Sequence, residues 1–167
     1  MGDVGHHRQT MEPSFEKLLV LLANAGVGFV VVGGIAVTLH GYVRLTEDVD
    51  LLVDDNPGNI QRLLAALGSY GEGFARELTP ADFTAEEGAV RVVEETEQCQ
   101  IDLFTRLSGR TYADALADAE RFPIGGHFIP YASKTSLIAW KSSSAREKDR
   151  LDVLALRRLM ADPAALD

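Results

Sequence analysis

The stretch FVVVGGIAVTLHGYVRLTEDVDLLV, residues 29–53, decides how this chain folds. Phe29-Val30-Val31-Val32 is short, β-branched and free of polar alternation, the composition of a strand buried on both faces. It runs into Gly33-Gly34, where a strand turning into a helix can offer backbone amides to a phosphate without side-chain interference. Ile35 to His40 read as a short helix stopped at Gly41. Asp48-Val49-Asp50-Leu51-Leu52-Val53 then reads as a second strand. Alternate side chains of a strand share a face, so Asp48 and Asp50 project together. Two carboxylates so placed repel unless a positive charge sits between them, and a divalent cation supplies one.

Upstream, Phe15, Leu18, Leu19, Leu22 and Ala23 recur at helical spacing from Ser14 and stop at Asn24-Ala25-Gly26, while residues 1–11 carry no periodicity and predict a loose tail. His6-His7 in that tail reads as a solvated pair. No charged residue lies between Leu18 and Val43, yet glycines, Asn24 and His40 divide the stretch into helix, turn and strand rather than a membrane span. Downstream, the capping oxygen and proline of Asp55-Asn56-Pro57 open a helix with the stripe Ile60, Leu63, Leu64 and Leu67. Strands are predicted over 89–94 and 98–104 with a hairpin loop between them, then a helix over 112–120, a strand over 127–131, and helices over 133–141 and 145–160. The second of those strands carries Asp102 among Ile101, Leu103 and Phe104, and a buried carboxylate without a partner is costly. Alternating helices and strands predict an α/β or α+β fold with a mixed sheet flanked by helices. The expected organisation is a tail over 1–11, a core over 12–132, and a helical segment over 133–167 packed on it.

With 167 residues, 46% hydrophobic and 25% charged, the chain is expected to form one small globule. Twenty-five acidic against sixteen basic residues give a net charge of -9, which argues against binding long duplex DNA. The lone Cys99 forms no internal disulfide and reads as a small core residue, so a reducing cytoplasm is the expected home. The charge is uneven. Between Lys134 and Arg158 seven basic residues face three acidic ones, a net +4, leaving -13 for the remainder. A basic helical pair beside an acidic core suits a triphosphate, although local pairs such as Arg146 with Asp149 and Lys148 with Asp152 would account for part of it.

The order of strand, Gly33-Gly34, short helix, Asp48-x-Asp50 and a later strand with Asp102 resembles the nucleotidyltransferase superfamily of the DNA polymerase β type. The run from Val32 to Val37, then His40-Gly41, Arg44-x-Thr46-Glu47-Asp48, with Leu137 to Lys141 and Arg146 to Val153, resembles its small bacterial AbiEii-like, toxin–antitoxin-related proteins. That resemblance implies transfer of a nucleoside monophosphate from an NTP to a hydroxyl on an RNA end, a protein or a small molecule. It implies Mg²⁺ or Mn²⁺ held by Asp48, Asp50 and Asp102 as the catalytic acids, the triphosphate cradled by Gly33 and Gly34, and supporting contacts from Arg44, Thr46, Lys141 and Lys148. A cognate antitoxin or other partner protein would fit such a system, and a membrane would not. The alternatives are an antibiotic-modifying nucleotidyltransferase and a catalytically silent nucleotide-binding partner protein. Trp140 departs from the family pattern, where a smaller residue is usual, and reads as core.

Overall fold

The computed structural model describes residues 13–42, 48–71, 77–83, 89–94, 99–142 and 147–161, and the predicted tail, Arg44 and Thr46 lie outside them, as does the side chain of Lys148. Helix α1 spans Pro13–Asn24, strand β1 Phe29–Val32, helix α2 Gly33–Leu39, strand β2 Asp48–Val53 and helix α3 Pro57–Leu67. Strands β3 (Val90–Glu94) and β4 (Cys99–Phe104) follow, then the two-residue strands β5 (Arg106–Leu107) and β6 (Arg110–Thr111) and helix α4 (Tyr112–Ala117). Strands β7 (Glu120–Ile124) and β8 (His127–Tyr131) precede helices α5 (Lys134–Lys141) and α6 (Glu147–Ala161).

Six strands form one mixed sheet in the order β3-β4-β2-β1-β8-β7. β1 is antiparallel to β2 and parallel to β8, and β2 is parallel to β4. The outer pairs β3–β4 and β7–β8 are antiparallel. The three strands β4, β2 and β1 therefore lie side by side within the sheet. All four residues of β1 are buried, as a strand between two others and beneath helices must be. The stripe Phe15, Leu18, Leu19 and Leu22 of α1 is buried too, and α1 packs against α3 and β8. Each such side chain contributes about 1.5–3 kcal/mol by leaving water, so Leu19→Ala would cost about 2–5 kcal/mol.

Local chemistry explains the boundaries. The Asn56 side chain accepts from the Gly58 amide at 3.0 Å, with Pro57 in the first turn, which starts α3 as expected. The buried Asn59 of α3 accepts from the Gly28 amide at 2.6 Å and donates to the Gly28 and Asp54 carbonyls, tying the helix to the backbone beside β1 and β2. The predicted helix over 112–120 is shorter. It ends at Ala117, and Glu120 begins β7, an edge strand whose exposed Glu120 and Arg121 look helical in isolation. The charge-free stretch Leu18 to Val43 divides into α1, β1 and α2, and among the described residues no helix is long and apolar enough to cross a membrane.

Candidate active site

The acids meet where β2 and β4 run parallel. In their register Asp50 lies directly opposite Asp102, and Asp48 opposite Gln100. Ligand oxygens of Asp48, Asp50 and Asp102 all fall within 4.8 Å of one another, a separation that a shared cation could bridge. Asp102 is buried at 5% exposure, while Asp48 and Asp50 are half-buried. Burial, the neighbouring charges of Asp102 and Asp48, and a hydrogen bond with Asp102 push the Asp50 carboxyl up to about 7, against a smaller downward pull from Lys141. Three acids so crowded repel one another where they are ionised, and an all-oxygen donor set of this kind suits Mg²⁺ or Mn²⁺.

Gly33 is glycine for two reasons. Its φ is +67°, a left-handed conformation that other residues adopt only at a cost, and a Cβ there would run into the Asp50 carboxylate. The β1–β2 register explains the second, since Val32 pairs with Asp50 and the chain turns next to the acid. Gly33, Gly34 and Asp50 border a groove of about 190 Å³ with Val32, Lys141 and Asp149, closed on another side by Phe104, Leu107, Leu137 and Trp140. Trp140 is buried, as expected of a core residue, yet it also forms part of this apolar wall.

Lys141 reaches the groove from the end of α5, where a phosphate contact was expected. Its ammonium lies 2.9 Å from Asp149 Oδ1 and 2.9 Å from Asp152 Oδ2, both on α6 and both buried. The local pairings expected for these acids, with Arg146 and Lys148, rest on residues whose side chains lie outside the description. The structure thus brings together Gly33, Gly34, Asp48, Asp50, Asp102 and Lys141.

His40 caps α2 and is buried, its Nε2 donating to the Ala132 carbonyl at 2.7 Å and its ring edge-on to Tyr131 at 4.9 Å. Burial holds its pKa below the usual imidazole value, with the Ala132 bond opposing, so a neutral ring is a strut between α2 and β8. One neighbour of the acids escaped the sequence reading. Arg91 of β3 pairs in register with Asp102, and its Nε donates to Asp102 Oδ1 at 2.9 Å. The signal was an arginine alternating with Val90 and Val92, meaningful only once β3 is laid against β4.

Residues 13–166 match the family described as "Nucleotidyl transferase of unknown function (DUF2204)". The chain belongs to that family. It is a nucleotidyltransferase, of the superfamily that the glycine pair and the acids resemble. A comparison with curated proteins finds no match. Among solved structures, the lincosamide antibiotic adenylyltransferase LnuA with lincomycin bound is similar at 16% identity and a TM-score of 0.62, over 89% of this chain and 97% of that one. A Thermotoga maritima protein assigned as a nucleotidyltransferase is similar at 16% identity and a TM-score of 0.52, over 93% and 98%. An antigenic nucleotidyltransferase-like protein from Paracoccidioides brasiliensis gives 18% and 0.50, over 86% and 73%. At these identities the likeness is one of fold, and the mixed sheet with flanking helices is that fold.

Proposed function

We infer that this nucleotidyltransferase moves a nucleoside monophosphate from an NTP to a hydroxyl acceptor with a divalent metal, Mg²⁺ or Mn²⁺, held by Asp48, Asp50 and Asp102. The observation that carries the reading is the meeting of three acid oxygens within 4.8 Å at the rim of a groove that begins at Gly33-Gly34. Bound metal would supply charge to the attacking and leaving oxygens of an in-line displacement. The chain's own groups do the rest. Backbone amides at Gly33-Gly34, which line the groove beside Asp50, hold phosphate oxygens. Asp48 and Asp50 fix the triphosphate end through their shared strand face, and Asp102 orients the acceptor hydroxyl and takes its proton. The acceptor oxygen bonds to the α-phosphorus as the bond to pyrophosphate breaks. Lys141 lends positive charge to the groove from a position set by Asp149 and Asp152, and the wall of Phe104, Leu107, Leu137 and Trp140 suits the flat apolar face of a base.

A second reading concerns the acceptor alone. The fold shared with a lincosamide adenylyltransferase, together with the -13 charge outside the C-terminal helices, favours a small cationic antibiotic over a nucleic acid end. The test is calorimetry and single-turnover transfer with labelled NTPs, Mg²⁺, and panels of RNA, protein and antibiotic acceptors. Metal-dependent NTP binding with label on one acceptor class is the expected result. No NTP binding in the presence of metal would overturn the assignment of the groove.

A further inference from the structure

Asp102 has to present its carboxylate in one orientation if it is to meet both a cation and a hydroxyl, and the neighbouring Asp50 both repels it by charge and shares a hydrogen bond with it. Two donors face it. Gln100 Nε2 stands 3.5 Å from Oδ2, at the limit of a hydrogen bond, whereas Arg91 Nε is 2.9 Å from Oδ1. Fixing Oδ1 fixes the plane of the carboxyl group and therefore the direction of Oδ2. The β3–β4 register puts Arg91 directly across from Asp102, so the contact follows from strand pairing rather than from a chance meeting of long side chains. The Arg91 side chain is 60% exposed and that of Asp102 is 7% exposed. An ion pair with so exposed a guanidinium adds little to stability, so holding the fold together is a poor explanation for it.

We propose that Arg91 is a positioning residue for the transfer reaction, acting through Asp102 by holding Oδ1 so that the other oxygen addresses the metal and acceptor side of the site. This rests on the metal-dependent reading of the acid cluster given above. A planar guanidinium suits the task, since its Nε–H is rigidly directed and its charge offsets one of three crowded carboxylates. Carboxylates that meet a metal are commonly held in this way by an outer partner, whose loss costs about 10–100-fold in metal affinity or activity.

The test compares wild type, Arg91→Gln and Arg91→Lys at equal fold stability. Turnover is measured with saturating NTP, and Mn²⁺ binding is followed by electron paramagnetic resonance with an ATP analogue whose α–β bridge cannot be cleaved. Arg91→Gln is expected to lower kcat about 10–100-fold at an unchanged KM for NTP and to weaken Mn²⁺ binding about tenfold. Arg91→Lys, which keeps one charged donor, should recover much of both. Mn²⁺ binding and kcat equal to wild type in Arg91→Gln would overturn the proposal, and tighter Mn²⁺ binding would too, by making Arg91 a competitor of the metal. A wild type that binds neither Mn²⁺ nor the analogue would instead overturn the metal-dependent reading beneath it.

Discussion

Two clusters of acids border one groove, which Asp50 lines from the sheet and Lys141 and Asp149 from the helices, and they are built differently. On the helical side, Asp149 and Asp152 share the ammonium of Lys141 at 2.9 Å each, with exposures of 4%, 0% and 11%. On the sheet side, oxygens of Asp48, Asp50 and Asp102 crowd within 4.8 Å, and the largely exposed Arg91 donates to Asp102 Oδ1. The helical cluster carries its own counter-charge inside the fold. In the sheet cluster burial first, and then the charges of Asp102 and Asp48 and a hydrogen bond with Asp102, outweigh the pull of Lys141, and the Asp50 carboxyl climbs to about 7. A structural charge cluster is completed by the chain, whereas one completed from solution marks a place where a charged ligand belongs.

Removing the helical counter-charge should give the largest effect on folding. Lys141→Met takes from two buried carboxylates the ammonium that they share between α5 and α6 and should cost about 3–5 kcal/mol, read as a lower midpoint in urea at unchanged slope. A double change of Asp149 and Asp152 to Asn in the Lys141→Met background should recover much of that loss. If Lys141→Met is as stable as wild type, the two clusters differ less than their geometry implies.

On the sheet side the largest expected effect falls on chemistry. Under the proposed division of labour, Asp102→Asn should leave NTP affinity close to wild type and cut single-turnover transfer by roughly a hundredfold or more, about 2.7 kcal/mol of barrier. Asp48→Asn and Asp50→Asn should lower binding and turnover together, because both acids act on the triphosphate end in ground and transition state alike. Equal single-turnover rates for Asp102→Asn and wild type would remove Asp102 from the mechanism and blur the contrast between the clusters.

The two clusters also differ in how much of them could be read beforehand. Asp48, Asp50 and Asp102 were legible because strand periodicity puts the first two on one face and because an acid amid Ile101, Leu103 and Phe104 stands out. Gly33 was legible as a turn, though not as the residue whose missing side chain makes room for the Asp50 carboxylate. The Lys141 cluster was not legible. Local spacing pairs Asp149 and Asp152 with basic residues on their own helix, and only the packing of α5 on α6 brings Lys141 to both. Arg91 was hidden for a similar reason, since it depends on strand register. The missed β7 and the β5–β6 hairpin are edge or two-residue strands held by pairing rather than by a buried stripe, so periodicity had little to detect.

The smallest effect, and the one that sharpens the contrast most directly, is the pH dependence of stability without metal. The Asp50 carboxyl is held at about 7 in the folded chain against an ordinary value of 3.8. Between those values the folded protein keeps a proton that the unfolded chain has released, so stability falls as pH rises through this window and levels off above it. Asp50→Asn removes the titrating group. Its melting temperature should therefore pull ahead of wild type from about pH 4 to about pH 7 and keep a constant lead above that range. Saturating Mg²⁺ at pH 8 should narrow or reverse the lead, because the cation binds the wild-type acids in the folded state and finds one fewer in the variant. Thermal unfolding of both proteins across this range, with and without Mg²⁺, decides it. Parallel curves would mean that the sheet-side acids are already compensated within the fold, and the distinction between the two clusters would fail at its physical root.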